Sequence, residues 1–115
     1  MKNYFEERPW GTFENLLDTD NCKVKKIVVK PGSRLSYQYH HRRSEVWTIV
    51  SGTAKVTLDG VNSWRTKGSV IQIPAKIKHR VENDTDEDLI FIEVQWGEYF
   101  GEDDIVRLQD DYDRI

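Results

Sequence analysis

From residue 23 onward, apolar and polar positions alternate in short runs instead of recurring every three or four residues. The runs are KVKKIVVK (23–30), RLSYQYHH (34–41), EVWTIVS (45–51), TAKVTL (53–58), NSWRT (62–66), SVIQIP (69–74), KHRVEN (78–83) and LIFIEVQWG (89–97). Between them stand Pro31-Gly32, Ser51-Gly52, Asp59-Gly60, Lys67-Gly68, Pro74 and Asn83-Asp84, the residue types that punctuate a chain with turns. A period of two turns alternate side chains to one face of a strand, so the pattern predicts eight or so short strands in an all-β sandwich or barrel. A jelly roll is one such solution. Asp59-Gly60 is the best hairpin signal, because a type I′ turn needs positive φ at both central residues. Only the tail GEDDIVRLQDDYDRI breaks the alternation. Acids at Glu102, Asp103 and Asp104 ahead of Ile105, Val106 and Leu108 predict either a short helix, with the acids at its positive end, or an irregular acidic segment.

Composition narrows the picture. The 115 residues are read as one domain, 1–115, able to bury roughly two thirds of the surface the unfolded chain exposes. Charged residues make up 32% of the chain, yet four tryptophans offer large buried areas, so a folded domain with a polar surface is expected, not a disordered one. A net charge of -3 argues against nucleic acid as a partner. Cys22 is the sole cysteine and excludes an intrachain disulfide, and MKNYFEERPWG lacks the apolar run of a secretory signal. No segment approaches the ~20 apolar residues of a membrane span. The expectation is a soluble, cytoplasmic protein with no membrane partner.

Candidate chemistry concentrates in QYHHRRSEVW (38–47). In a strand, Gln38 and His40 share one side while Tyr39 and His41 take the other. Glu45 opens the next strand, with Trp47 and Ile49 continuing its face, and His79 opens a later one. If these segments pack face to face, the four side chains converge. Imidazoles with a carboxylate and an amide oxygen suit a divalent ion such as zinc, manganese, iron, cobalt or nickel, with positions left for water or substrate. On spacing alone, surface histidines and glutamates remain an equal alternative.

Two spaced motifs sharpen this reading. Gly32, Gln38, His40, Glu45 and Gly52 resemble the first cupin motif, with Gln38 where a histidine usually stands. Gly68, Pro74, His79 and Asn83 resemble the second, with Lys76 where a glycine is usual. The resemblance implies a double-stranded β-helix, a jelly roll whose site lies inside the barrel mouth. A narrower resemblance spans nearly the whole chain. The elements RPWG, KKIVVKPGSRLSYQYHHRRSEVW, VSGTAKVTLDG, IPAKIKHRVEN and LIFIEVQWGEYFGEDDIVRLQDDYDR are similar, in order, to the cupin domain of type II mannose-6-phosphate isomerases, usually fused behind a mannose-1-phosphate guanylyltransferase domain. GEDDIVR belongs to that narrower pattern. Val46 replaces a histidine common after the motif glutamate, which implies the loss of a substrate contact or proton relay, and Asp113 replaces a glycine. No Gly-rich nucleotide loop precedes the cupin portion, so guanylyl transfer is not expected of this chain.

The resemblance implies a metal-dependent isomerase interconverting mannose 6-phosphate and fructose 6-phosphate, with Gln38, His40, Glu45 and His79 on the metal. Phosphate calls for permanent cations with several donors; Arg43, Arg80 and Arg107 are the first candidates, Arg107 preferred, and Lys55 follows. A general base must reach the transferred proton, and Glu45 and Glu82 are the carboxylates considered. His41, on the far side by parity, is expected at the surface. The resemblance also implies a homodimer, formed through extended strands such as KIVV and LIFIEV. A non-catalytic cupin that binds a sugar phosphate or sugar nucleotide is the alternative, and a cupin oxygenase or epimerase is a third.

Overall fold

The computed structural model describes residues 4–112; Asp113, where a glycine was expected from the resemblance, lies outside them. The described residues form eleven strands: β1 (Tyr4–Arg8), β2 (Gly11–Asp18), β3 (Lys23–Val29), β4 (Tyr37–Tyr39), β5 (Arg43–Ser51), β6 (Ala54–Leu58), β7 (Val61–Arg65), β8 (Val70–Ile73), β9 (His79–Glu82), β10 (Leu89–Gly97) and β11 (Val106–Gln109). A six-stranded sheet runs in the order β1-β2-β3-β10-β5-β8 and a five-stranded one in the order β11-β4-β9-β6-β7, all pairs antiparallel. Such a closed pair of antiparallel sheets is the all-β jelly roll that the alternation predicted. No helix among the described residues is long and apolar enough to cross a membrane.

All eight predicted runs hold strands, and Asp59-Gly60 makes the tight hairpin between β6 and β7, with φ of 46° and 82°. The N-terminal ribbon β1–β2 was not foreseen. Glu6, Glu7 and Arg8 share β1 with Tyr4 and Phe5, and a mostly exposed strand shows no clean apolar face to read. The tail is corrected too: it forms β11, not a helix. Its partners are tertiary. Val106 and Arg107 pair with Tyr39 and Gln38, Arg80 donates to the Gln109 side chain and carbonyl at 3.2 Å each, and Arg34 holds Asp111 at 2.8 Å. The expected dimer route through KIVV and LIFIEV meets a topological obstacle, because β3 and β10 each have a strand on both sides and no edge left to extend.

Inward residues of the large sheet line up in rows across the strands, and the rows differ in chemistry. Phe13, Ile27, Phe91 and Ile49 make one row, all buried, with the Trp47 and Phe91 rings 5.0 Å apart. The next row is Asn15, Lys25, Glu93, Trp47 and Ile71, and the one after it Lys23, Gln95, Glu45 and Ile73. The interior therefore passes from an apolar plug to charged groups along one set of strands. The plug supplies the free energy; at about 1.5–3 kcal/mol for each large apolar side chain fully buried, it carries the cost of ordering the polar end.

Candidate metal centre

Three of the four expected ligands come from different strands of the two sheets. His40 leaves the end of β4, Glu45 sits inward on β5, and His79 opens β9; their candidate ligand atoms lie within 4.8 Å of one another and all three residues are buried. The two imidazole rings are 5.2 Å apart. Gln38 is the direct cross-strand partner of His79, which puts its side chain on the same face. Lys76 ties the loop before β9 to this strand by donating its backbone N–H to the His40 carbonyl at 2.7 Å. It does so with φ of 72°, a left-handed conformation that explains why glycine is usual there.

Hydrogen bonds orient each group. His79 Nδ1 lies 2.9 Å from the Ile77 carbonyl, an arrangement that places the proton on Nδ1 and leaves the Nε2 lone pair for a cation. Burial pushes the His40 imidazole down to about 3, against the pull of Glu45, so at neutral pH the ring is uncharged, as a metal ligand must be. Burial by itself would raise the Glu45 carboxyl; the Arg43 guanidinium, donating from Nε to Oε2 at 2.8 Å, outweighs it and holds the group well below the usual carboxylate range. Trp47 Nε1 donates to the other oxygen, Oε1, at 2.9 Å.

The donor set fits a divalent cation. Two buried acceptors here, Gln38 Oε1 and His40 Nε2, have no hydrogen-bond partner in the structure, and leaving such atoms unpaired costs about 1–3 kcal/mol each. Two imidazole nitrogens, a carboxylate oxygen and an amide oxygen would satisfy both atoms by coordination and match the ligand preferences of zinc, manganese or iron.

A cavity opens beside this cluster. Arg43 and Arg107 line it, as do Gln38, Glu45 and His79. Arg107 stands opposite Gln38 on β11, so the family-type tail segment places it in the row of Gln38 and His79. Lys55, Arg80 and Glu82 do not line the cavity. Alternation decides this: with Ala54 and Val56 inward, Lys55 faces out, its ammonium 5.5 Å above the Trp64 ring, and with His79 and Val81 inward, Arg80 and Glu82 face out. Glu82 lies 3.9 Å from Arg34, and Arg80 clamps β11 from outside. His41 is exposed, as expected.

Sequence reasoning missed Lys25, Glu93, Gln95 and Glu102. Glu93 is fully interior, accepting from Trp47 Nε1 at 3.1 Å and from Gln95 Nε2 at 2.6 Å. Burial, and then the charge of Glu45, push its carboxyl up to about 8. The signal was present in LIFIEVQWG, where Leu89, Phe91, Glu93 and Gln95 share a face: a carboxylate in register with core residues.

The family follows from comparison with known proteins, since residues 2–110 match the family described as "Mannose-6-phosphate isomerase C-terminal". The chain belongs to that family. Among curated relatives of this C-terminal domain, the alginate biosynthesis protein AlgA of Pseudomonas aeruginosa is 48% identical over 93% of the chain and 22% of its own length. A mannose-1-phosphate guanylyltransferase of Salmonella montevideo is 45% identical over 93% of the chain and 23% of its own. The chain thus spans less than a quarter of the curated relatives it matches. Among solved structures, the capsular polysaccharide assembling protein CapF of Staphylococcus aureus superposes with a TM-score of 0.83 over 95% of the chain and 32% of its own, at 23% identity, which shows the shared cupin fold. The departure at Val46 does not reach the cavity. Val46 points away from the cavity, between Val94 and Gln72 on the outer face of the large sheet.

Proposed function

We propose that this domain interconverts mannose 6-phosphate and fructose 6-phosphate in a metal-dependent reaction. One observation carries the reading: His40, Glu45 and His79 cluster at the wall of a cavity lined by Gln38, Glu45, His79, Arg43 and Arg107. A divalent cation held there supplies Lewis-acid polarisation of the sugar oxygens.

The chain's own groups supply the rest. Aldose and ketose differ by the place of one carbon-bound hydrogen, one hydroxyl proton and the carbonyl, so the reaction needs a group that takes a proton from one sugar carbon and returns one to its neighbour while a proton passes between the two adjacent oxygens. Of the cavity carboxyls, Glu45 is committed to Arg43 beside the histidines, whereas Glu93, which accepts from Trp47 and Gln95, stands outside the cluster and takes the role for which Glu45 and Glu82 were considered on sequence grounds. Arg107 gives a planar fork of donors suited to phosphate oxygens, and Arg43 keeps Glu45 ionised. The walls of Phe13, Ile27 and Phe91 keep the far end of the cavity dry, which strengthens each charged contact.

Purified protein stripped of metal and reloaded separately with zinc, manganese, cobalt, nickel and iron tests this directly. Conversion of mannose 6-phosphate to fructose 6-phosphate with at least one metal is expected. A folded, metal-loaded protein that turns over neither sugar would sink the isomerase reading. The guanylyltransferase names of the relatives favour a second reading, a domain that binds the sugar phosphate without converting it; calorimetric binding with no turnover would select that one. A homodimer would use an edge strand or the outer face around Ile92, Val94 and Trp96, and sedimentation reads out that state.

A further inference from the structure

The geometry points to Lys25 as a second cation, beside Arg107, that receives the anionic group of the ligand, with Glu102 holding that position as an internal carboxylate until the anion displaces it. This rests on the sugar-phosphate reading above and adds a residue and a gating contact to it.

Lys25 lies inward on β3, one strand from Glu93, and its side chain is only 6% exposed; Lys23, the next inward residue, is 9% exposed. Ammonium groups so deep are costly unless paired. Both face one carboxylate, Glu102, which is ion-paired to Lys25 and lies 3.4 Å from Lys23, and which is itself 57% exposed. Lys23 has a second partner, the Phe100 carbonyl at 3.2 Å. The Phe13 ring, 4.5 Å from Lys25 Nζ, steadies that ammonium where it faces the cavity. Two buried cations thus share one half-exposed acid, on a turn between β10 and β11.

Lys25 and Glu102 both line the cavity that holds the ligand cluster. Of the other cations there, Arg43 is committed to Glu45, Arg8 is paired with Glu6, and Arg107 reaches the cavity from β11 of the opposite sheet, where it completes the anion contact from the other side. An anion entering the cavity meets in Lys25 a cation whose carboxylate partner is already half-exposed and can be displaced towards water. The spacing suits a hexose phosphate. Lys25 on β3 and Trp47 on β5 are two strand spacings apart, roughly 10 Å between backbones. An open six-carbon chain has eight bonds from its C1 carbonyl oxygen to phosphorus, which at ~1.5 Å per bond with tetrahedral zigzag extend to about 10 Å. With its carbonyl end at His40, Glu45 and His79, the phosphate reaches the place the Glu102 carboxylate now fills. A phosphate carries more negative charge and more acceptor oxygens than a carboxylate, so the exchange favours the ligand.

The experiment measures inorganic phosphate and mannose 6-phosphate binding by calorimetry for the full chain and for E102Q, K25M and D103N. E102Q removes the competitor and is expected to bind both anions about fivefold more tightly, the scale of one exposed ion pair. K25M is expected to lose roughly 30-fold or more. D103N, whose carboxylate bonds the exposed Tyr99 hydroxyl, is expected to match wild type within about twofold, as is usual for a surface change. Weaker binding by E102Q, or K25M binding like wild type, overturns the assignment; should K25M not fold, the sign of the E102Q change decides by itself. Phosphate keeps the two readings apart. The expected order of phosphate affinities without sugar turnover overturns the isomerase alone, whereas turnover with KM unchanged in both E102Q and K25M overturns the Lys25 assignment alone.

Discussion

Trp47 and Glu93 stand directly opposite each other on β5 and β10, and the Trp47 indole N–H is shared between Glu93 Oε1 at 3.1 Å and Glu45 Oε1 at 2.9 Å. One neutral donor therefore holds two buried carboxyls of different character: Glu45, kept ionised by Arg43, and Glu93, shifted upward by burial and by Glu45 itself. Environments that drive two carboxyls apart in this way separate a charge-bearing role from a proton-exchanging one.

Replacing Glu93 by Gln keeps the shape and the hydrogen bond from Trp47 while removing the exchangeable proton. Steady-state kinetics should show kcat falling about 100-fold or more, the usual contribution of general acid–base catalysis, with metal content by elemental analysis unchanged. Equal loss of metal and activity would place Glu93 in the coordination support instead.

Metal should raise stability by binding only the folded chain. At a hundredfold excess over Kd the gain is about 2.7 kcal/mol, which calorimetry or fluorescence would register as a clear upward shift of Tm. His40→Ala and His79→Ala should each abolish most of that shift, because each removes one corner of the cluster. A shift that survives both variants would put the cation elsewhere.

Val46→His restores the residue common at this position in the family. Because the side chain points out of the barrel, kcat and KM should stay within about twofold of wild type, the behaviour of a surface substitution. A gain of tenfold or more would show that the position reaches the reacting sugar by some other route, such as a partner subunit.

Asp104 accepts from the backbone N–H of His41 at 3.0 Å and of Arg42 at 2.9 Å, fastening the tail to the loop that follows His40. Burial alone would raise its carboxyl, but the two N–H bonds win and hold it below its ordinary value. A group lowered on folding stabilises above its unfolded pKa of about 3.9 and loses that effect as pH falls through the folded value. Wild type should therefore melt above Asp104→Ala at pH 7, and the gap should close as pH drops below about 4. A gap constant down to pH 2.5 would contradict the titration.

Much of the candidate site was legible because side chains on strands obey a period of two. Gln38 and His40 share a face, Glu45 sits with Trp47 and Ile49, and His79 with Val81, so motif spacing located the cluster before any coordinates did. The same rule, applied through, would have placed Arg80 and Glu82 outside once His79 was inside. Phosphate chemistry favoured Arg80 and proton transfer favoured Glu82, but parity outranks residue type. Lys25 and Glu93 stayed hidden for the opposite reason, since a charged residue inside an apolar alternation reads as an exception until its neighbours across the sheet are known.

Local pattern by itself determined the all-β class, the Asp59-Gly60 hairpin and the facing of each ligand along its own strand, because these depend on backbone geometry and nearest neighbours. Tertiary structure decided that the acidic tail becomes β11, that Arg107 enters the row of Gln38 and His79, and that Lys25, Glu93 and Glu102 share one cavity. Those outcomes depend on which strands lie side by side, and strand order is set by the burial of a common core among segments far apart in the chain.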